Sequence, residues 1–314
     1  MIREAITRLV AVLLLLALAA TPAAAQKRIA FTFDDAPRSP GAFLTPDQRS
    51  VKLIAALKRA GVKQAAFFVN PGNLAQPFGE GGEDRLDAYV AAGHVLANHS
   101  FSHPRLQSTD PDVYLADIDR AAAWLNGREG NRPWFRFPFL NEGGPDKAKR
   151  DALRAGLKAR GLRNGYVTVD GADWHLEARA IEAARAGKAI DMDALRDLYV
   201  ETQVGAAEAF DAIARKTLGR SPAHVILLHE TDLAALWIDD LVAALRTKGW
   251  EIVTADEAYR DRLRKAFPDT PSAQGTLTEA LAWEKGLPAP RWYARNDTKI
   301  LDALFAERVL KERP

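Results

Sequence analysis

Two adjacent carboxylates, Asp34 and Asp35, end the apolar stretch Arg28-Ile29-Ala30-Phe31-Thr32-Phe33 and run into Ala36-Pro37. Like charges that close push one pKa up unless a cation takes one carboxylate as a ligand. The pair therefore asks for a metal ion, a basic partner, or both; a strand that merely stops at a solvated turn is the plainer alternative. His99 and His103 offer metal ligands. On a helix or a helix-like turn their spacing puts both imidazoles on one face. Two His with one carboxylate is a set used by hydrolytic zinc and by non-haem iron, with positions left for water. The alternative here is two polar residues on a surface loop. The sequence has no Cys, so a thiolate site is excluded, and the His/Asp set suits Zn2+ or another divalent transition metal. Adjacent side chains point to different sides, so Asp35 is assigned to the metal and Asp34 to a water beside it, as ligand and general base.

Two more groups complete the set. Arg136 sits within Trp134-Phe135-Arg136-Phe137-Pro138-Phe139. A guanidinium stays charged, so inside an apolar strand it needs a carboxylate, and Asp34 is the candidate; an Arg reaching the surface is the alternative. Asp173 and His229 make a second pair. An Asp on one ring nitrogen fixes the tautomer and favours the imidazolium, which can give a proton to a leaving group. Alone, His229 reads as a core histidine at a strand end.

The elements that must hold these residues follow from periodicity and punctuation. Expected strands are 28–33, 64–70, 94–98, 134–139, 166–169, 224–228 and 251–254. Between them the spacing predicts helices over 50–60, 83–92, from Asp110-Pro111 to Leu125, 147–160, a long Ala-rich stretch over 176–218 broken near Gly187, and 233–248, with a closing helix over 255–267. Gly41–Gln48 and Asn141–Asp146 read as a loop and a turn. Seven short strands alternating with helices give an α/β fold with a parallel sheet. The spacing of the units favours a closed or nearly closed barrel over two domains. The titratable residues gather at the carboxyl ends of strands, the edge where parallel barrels build sites. Residues 268–314 carry Pro, Trp and Tyr without a strand pattern and are expected to be an extension packed on the barrel, which spans 26–267.

Composition narrows the class. In 314 residues, 27% charged with a formal net charge of +2, there is no electrostatic footprint for nucleic acid. Residues 1–25 have the form of a cleavable signal peptide: Arg3 and Arg8, an apolar core from Leu9 to Ala20, then Ala23-Ala24-Ala25, with Gln26 as the new N-terminus. That core falls short of the ~20 residues that span a bilayer. The expectation is a periplasmic or secreted protein with no stable membrane insertion after cleavage.

At this point five segments carry a resemblance. Thr32-Phe33-Asp34-Asp35-Ala36-Pro37, His99-Ser100-Phe101-Ser102-His103, Phe135-Arg136-Phe137-Pro138-Phe139, Asp170-Gly171-Ala172-Asp173-Trp174 and Ile226-Leu227-Leu228-His229 resemble, in order, the five motifs of the polysaccharide deacetylases, carbohydrate esterase family 4. The resemblance implies a distorted (β/α)7 barrel and a divalent-metal hydrolase, usually with zinc, that removes N-acetyl or O-acetyl groups from an acetylated glycan. It implies Asp34 as base, Asp35, His99 and His103 as metal ligands, Arg136 as the residue pairing with the base, and His229 as acid tuned by Asp173. It also implies that Trp174 and Leu227 line the acetyl pocket and that the Phe139 N–H is an oxyanion donor. Two positions depart from the family pattern. Ala36 stands where Gly is usual, which requires a negative φ there. Phe139 stands where Tyr is common, which loses a hydroxyl but keeps the main-chain donor. A metal-free cyclic-amide hydrolase and an inactive carbohydrate-binding protein on the same barrel are the alternatives.

Overall fold

Alternating side chains make β1 (Lys27–Ala36) the strand on which the sheet is built. Ile29, Phe31 and Phe33 face the helices, in one core with Leu53, Leu57, Leu241 and Leu245. Ala30 faces the other way, into a core with Ala66, Phe68, Ala97, Trp134 and Val225. The structure, a computed structural model, describes residues 26–312, so the expected signal peptide at 1–25 lies outside the described residues.

The strands follow as β2 (Ala66–Val69), β3 (Val95–Asn98), β4 (Asn131–Phe135), β5 (Asn141–Gly144), β6 (Arg163–Asn164), β7 (Val169–Asp170), β8 (Ala223–His229), β9 (Trp250–Ile252) and β10 (Ala273–Gln274). Between and after them come α1 (Pro46–Arg59), α2 (Gly82–Ala91), α3 (Pro111–Leu125), α4 (Lys147–Ala159), α5 (Asp173–Arg185), α6 (Met192–Leu218), α7 (Asp232–Thr247), α8 (Ala255–Ala258), α9 (Leu277–Glu284) and α10 (Thr298–Arg308). The main sheet runs β6-β4-β3-β2-β1-β8-β7, with β9 also on β1. Every pair in it is parallel. With helices laid on its outer face, this is the expected α/β architecture, a parallel sheet curled into a distorted barrel.

The curl leaves one seam, between β6 and β7. Residues 165–168 cross it: the Gly165 N–H donates to Phe135 O at 2.6 Å and the Thr168 N–H to Val225 O at 3.0 Å. The last part of the chain covers this seam. β10 pairs antiparallel with β5. The Leu277 N–H donates to Val167 O at 2.8 Å, and Thr278 Oγ1 to Thr168 O at 2.9 Å. Leu301 and Phe305 of α10 enter the helix-side core.

Several boundaries differ from the expectations. The fourth strand stops at Phe135, because Pro138 lacks a donor and Phe139 and Leu140 take positive φ of 58° and 48°. The expected turn over 141–146 contains β5, and the expected strandless tail supplies β5's partner. The fifth strand is replaced by the two short strands β6 and β7, and Asp173, Trp174 and His175 open α5. The first helix starts early, inside the expected loop, because Thr45 and Gln48 form a capping box around Pro46. The closing helix is cut to α8 plus a 3-10 turn over Arg262–Lys265.

Candidate active site

Strand register brings the chemistry together. Ala36 is level with Val69, Val69 with Asn98, and Asn98 with Phe135. The residues next to this row, Asp35, His99 and Arg136, therefore meet on one rim. On the other side of β1, Asp34 is level with His229 of β8.

Asp34 is buried, and its Oδ1 accepts from Arg136 Nη1 at 2.5 Å. Arg136 is itself 1% exposed and fully engaged. Nε donates to Gly165 O at 2.8 Å, Nη1 also to Thr32 Oγ1 at 2.9 Å, and Nη2 to the Tyr259 hydroxyl at 2.8 Å. Its Cζ lies 3.8 Å from the centre of the Phe68 ring. Burial drives the Asp34 pKa up and the Arg136 charge only partly offsets it, so the carboxyl stays above its ordinary value.

Asp35 sits in the left-handed region at φ 67°. Its Oδ2 accepts from Arg38 Nη1 at 2.8 Å. Its Oδ1 lies 3.6 Å from His99 Nε2 and 3.3 Å from His103 Nε2. Burial opposes its charge, yet Arg38 and the nearby histidines outweigh burial and hold the carboxyl well below the usual range. Ala36 is not among the residues with positive φ, so the strain of this turn falls on Asp35.

The His99–His103 segment is a loop, not the expected helical turn. Ser100 and His103 have φ of 68° and 54°. Asp117 of α3 organises it: its carboxylate accepts the N–H groups of Phe101 and Ser102 and the Ser102 hydroxyl. His99 Nδ1 lies 2.9 Å from Arg136 O, which can only accept, so Nδ1 carries the proton and the Nε2 lone pair faces Asp34 Oδ2 at 3.5 Å and Asp35 Oδ1 at 3.6 Å. Burial pushes both His99 and His103 down to about 4, so both rings are neutral, the form that binds a metal. Donor atoms of Asp35, His99 and His103 all lie within 4.8 Å of one another. Tetrahedral bonds of ~2.0–2.1 Å place ligand atoms about 3.3 Å apart. The trio fits a small divalent ion.

Asp173, fully buried at the start of α5, holds His229 twice. Its Oδ1 lies 2.8 Å from His229 Nδ1, and its Oδ2 accepts the His229 N–H at 2.7 Å. Burial disfavours the imidazolium, but the Asp173 charge and hydrogen bond prevail and raise the His229 pKa.

Asp34, Asp35, His99, His103 and His229 line one cleft of about 560 Å3, together with Trp174, Leu227 and Phe139. Trp174 and Phe139 are each 42% exposed, as flat apolar walls. Every residue singled out in the sequence thus borders the cleft or touches one that does. Strain gathers here too: of seven non-glycine residues with positive φ among the described residues, Asp35, Ser100, His103, Phe139, Leu140 and Ala172 lie in the site segments. Such strain persists where the surroundings over-determine it, and it clusters at functional sites.

Several contributors escaped the sequence reading. Arg38 on Asp35 had a signal, being a cation three residues after the acid pair. Asp117 had a weaker one, a charge on the buried side of α3. Arg105, over Phe139, had one too, a cation two residues after His103; Tyr259 on Arg136, and Gln274 and Gly275 in the cleft wall, had none, since each comes from a distant segment.

Comparison with known proteins agrees with this geometry. Residues 21–160 match the family model for polysaccharide deacetylase. Over 241 residues the chain is 27% identical to a peptidoglycan-N-acetylglucosamine deacetylase of Bacillus cereus, covering 74% of this chain and 68% of that protein. It is 25% identical to one of Listeria monocytogenes, covering 76% of this chain but only 40% of that longer protein. It is 24% identical over 239 residues to a chitin deacetylase of Colletotrichum lindemuthianum, covering 74% and 79%. By these matches the chain is similar to the polysaccharide deacetylases.

Proposed function

We propose that this protein is a divalent-metal-dependent hydrolase that removes N-acetyl groups from a glycan containing N-acetylglucosamine. The observation that carries the proposal is the meeting, in one cleft, of the Asp35-His99-His103 trio with the Asp34–Arg136 and Asp173–His229 pairs. The relatives named for peptidoglycan and chitin share N-acetylglucosamine as the acetylated unit, which supports N-acetyl over O-acetyl.

Asp35, His99 and His103 would hold the ion, Zn2+ in our reading. When bound, it supplies a Lewis acid and lowers the pKa of a water. Asp34, kept basic by burial and held in place by Arg136, takes a proton from the attacking water as its oxygen joins the acetyl carbonyl carbon. The carbonyl oxygen becomes an oxyanion, to which the Phe139 N–H donates; losing such a donor costs about 100- to 1,000-fold in rate. His229, kept protonated by Asp173, gives its proton to the sugar nitrogen as the C–N bond breaks, so acetate and a free amine leave. Trp174, Leu227 and Phe139 provide the apolar surface against which the methyl and the sugar ring lie.

The proposal includes the organisation of the chain: a signal peptide over 1–25 that directs export to the periplasm or beyond, a catalytic barrel over 26–267, and an extension over 268–314 laid on it. Among the described residues no helix is long and apolar enough to cross a membrane.

The test is acetate release from N-acetylated chitooligosaccharides and from peptidoglycan glycan strands, with chelator and with metal restored. Release that stops with chelator, returns with zinc and is abolished in Asp34→Asn supports the reading. Release that is indifferent to chelator, or unchanged in Asp34→Asn, refutes it.

A further inference from the structure

We propose that Arg105 makes the cleft selective for glycans that carry a carboxylate on the sugar beside the one being deacetylated. This rests on the reading of the cleft as a glycan deacetylase site and goes beyond it by naming the charge of the substrate.

The cations of the cleft are already committed, with one exception. Arg136 is spent on Asp34, Arg38 on Asp35, and His229 on Asp173. Arg105 lines the same cleft, yet none of the ion pairs among the described residues involves it. It is not a loose surface charge either. Its guanidinium lies 4.1 Å from the centre of the Phe139 ring, and that ring packs edge-on against the His103 imidazole, with centroids 4.6 Å apart. Stacking on an aromatic face holds a guanidinium in one plane while leaving its N–H edge free, which is the geometry that takes a carboxylate through two parallel bonds.

The acids do not cancel this charge. Asp34, Asp35 and Asp173 have their own cations, and Asp170 Oδ1 accepts the Ala172 N–H at 2.8 Å. An ion on the Asp35-His99-His103 trio would add two positive charges. Arg105 is two residues from His103 in sequence and bears on the ring beside it, so a group it binds lies next to the reacting acetamide without displacing it. Phe139 matters here as well: it gives Arg105 a plain aromatic face.

The test compares two oligomers of equal length and acetylation, a neutral N-acetylated chitooligosaccharide and its O6-carboxymethylated form, on the zinc-loaded protein. At low salt the carboxymethylated oligomer should show about fivefold higher kcat/KM, with the gain in KM and little change in kcat. At about 0.5 M salt the preference should shrink towards unity. Arg105→Met, which keeps the alkyl stem over Phe139, should abolish it; Arg105→Lys should keep part of it. Equal kcat/KM for the two oligomers in the wild-type protein, or a preference that survives in Arg105→Met, overturns the proposal. If neither oligomer loses acetate, the deacetylase reading has failed, and calorimetric Kd values for the same pair still decide on Arg105: a tighter carboxymethylated oligomer in wild type but not in Arg105→Met upholds it, equal Kd values sink it.

Discussion

Replacing Asp173 by Asn isolates the acid half of the proposed mechanism. The change is isosteric, so the buried N-terminus of α5 keeps its shape and the Asn Oδ1 can still accept the His229 N–H that Asp173 accepts at 2.7 Å. What disappears is the charge opposite His229 Nδ1, now 2.8 Å away. A hydrogen bond between charged groups contributes about 1.5–3 kcal/mol. One pKa unit corresponds to about 1.4 kcal/mol, so the His229 pKa should fall by about one to two units. The sign follows from the starting point. The folded pKa of His229 lies above its ordinary 6.5, so the imidazolium is present below that folded value and is lost as pH rises through it. Lowering it moves the alkaline limb of kcat/KM to lower pH by the same amount. Above the limb, acetate release should be about 10- to 100-fold slower than wild type, and the deficit should narrow at acid pH. The measurement is a pH–rate profile of acetate release, with the His229 ring proton titrated by NMR. An alkaline limb that stays in place, or a loss of rate equal at every pH, would mean that Asp173 does not act through the His229 proton.

Other expectations follow from the same contacts. Arg136→Met should destabilise the fold by about 3–5 kcal/mol, because it leaves Asp34 as a buried, unpaired carboxylate; denaturant unfolding of wild type and variant gives the difference, and a loss under 1 kcal/mol by the same measure would contradict it. Tyr259→Phe removes one donor-acceptor from Arg136 and from Tyr166 O, and should cost about 1 kcal/mol in stability with a modest fall in kcat. His103→Ala should weaken zinc binding by at least about tenfold in a competition assay while leaving the cooperative unfolding transition intact, since His103 is a partly exposed loop residue with two neighbouring ligands still in place. Deleting 268–314 exposes the seam at 165–168 and strips Leu277, Leu281, Leu301 and Phe305 from the cores. At about 1.5–3 kcal/mol for each large apolar side chain, that loss is comparable to the whole stability of a domain. The truncated chain should lose its cooperative thermal transition, and a truncated chain that melts like wild type would contradict the role of the tail.

The sequence by itself determined the chemistry and its order along the chain. The acid pair after a strand, the two imidazoles four apart, the arginine in an apolar run and the distant histidine are all local facts, readable within a few residues. The strand positions of β1, β2, β3 and β8 were equally legible, because alternation, turn residues and helix stops act over short range. Tertiary structure decided the rest. That Asp35 reaches both imidazoles, while Asp34 reaches His99 with one oxygen and Arg136 with the other, is decided at the packed rim, where Asp35 holds φ 67°. The choice of Tyr259 for Arg136 and of Asp117 for the His99–His103 loop follows from strand register and helix placement. The tail offered no strand pattern, yet β10 and α10 close the seam that the curled sheet cannot close alone. The physical reason is common to all of these. A buried polar group must find its partner wherever the folded chain brings one within about 3 Å, and no pattern in the neighbouring residues records which segment that will be.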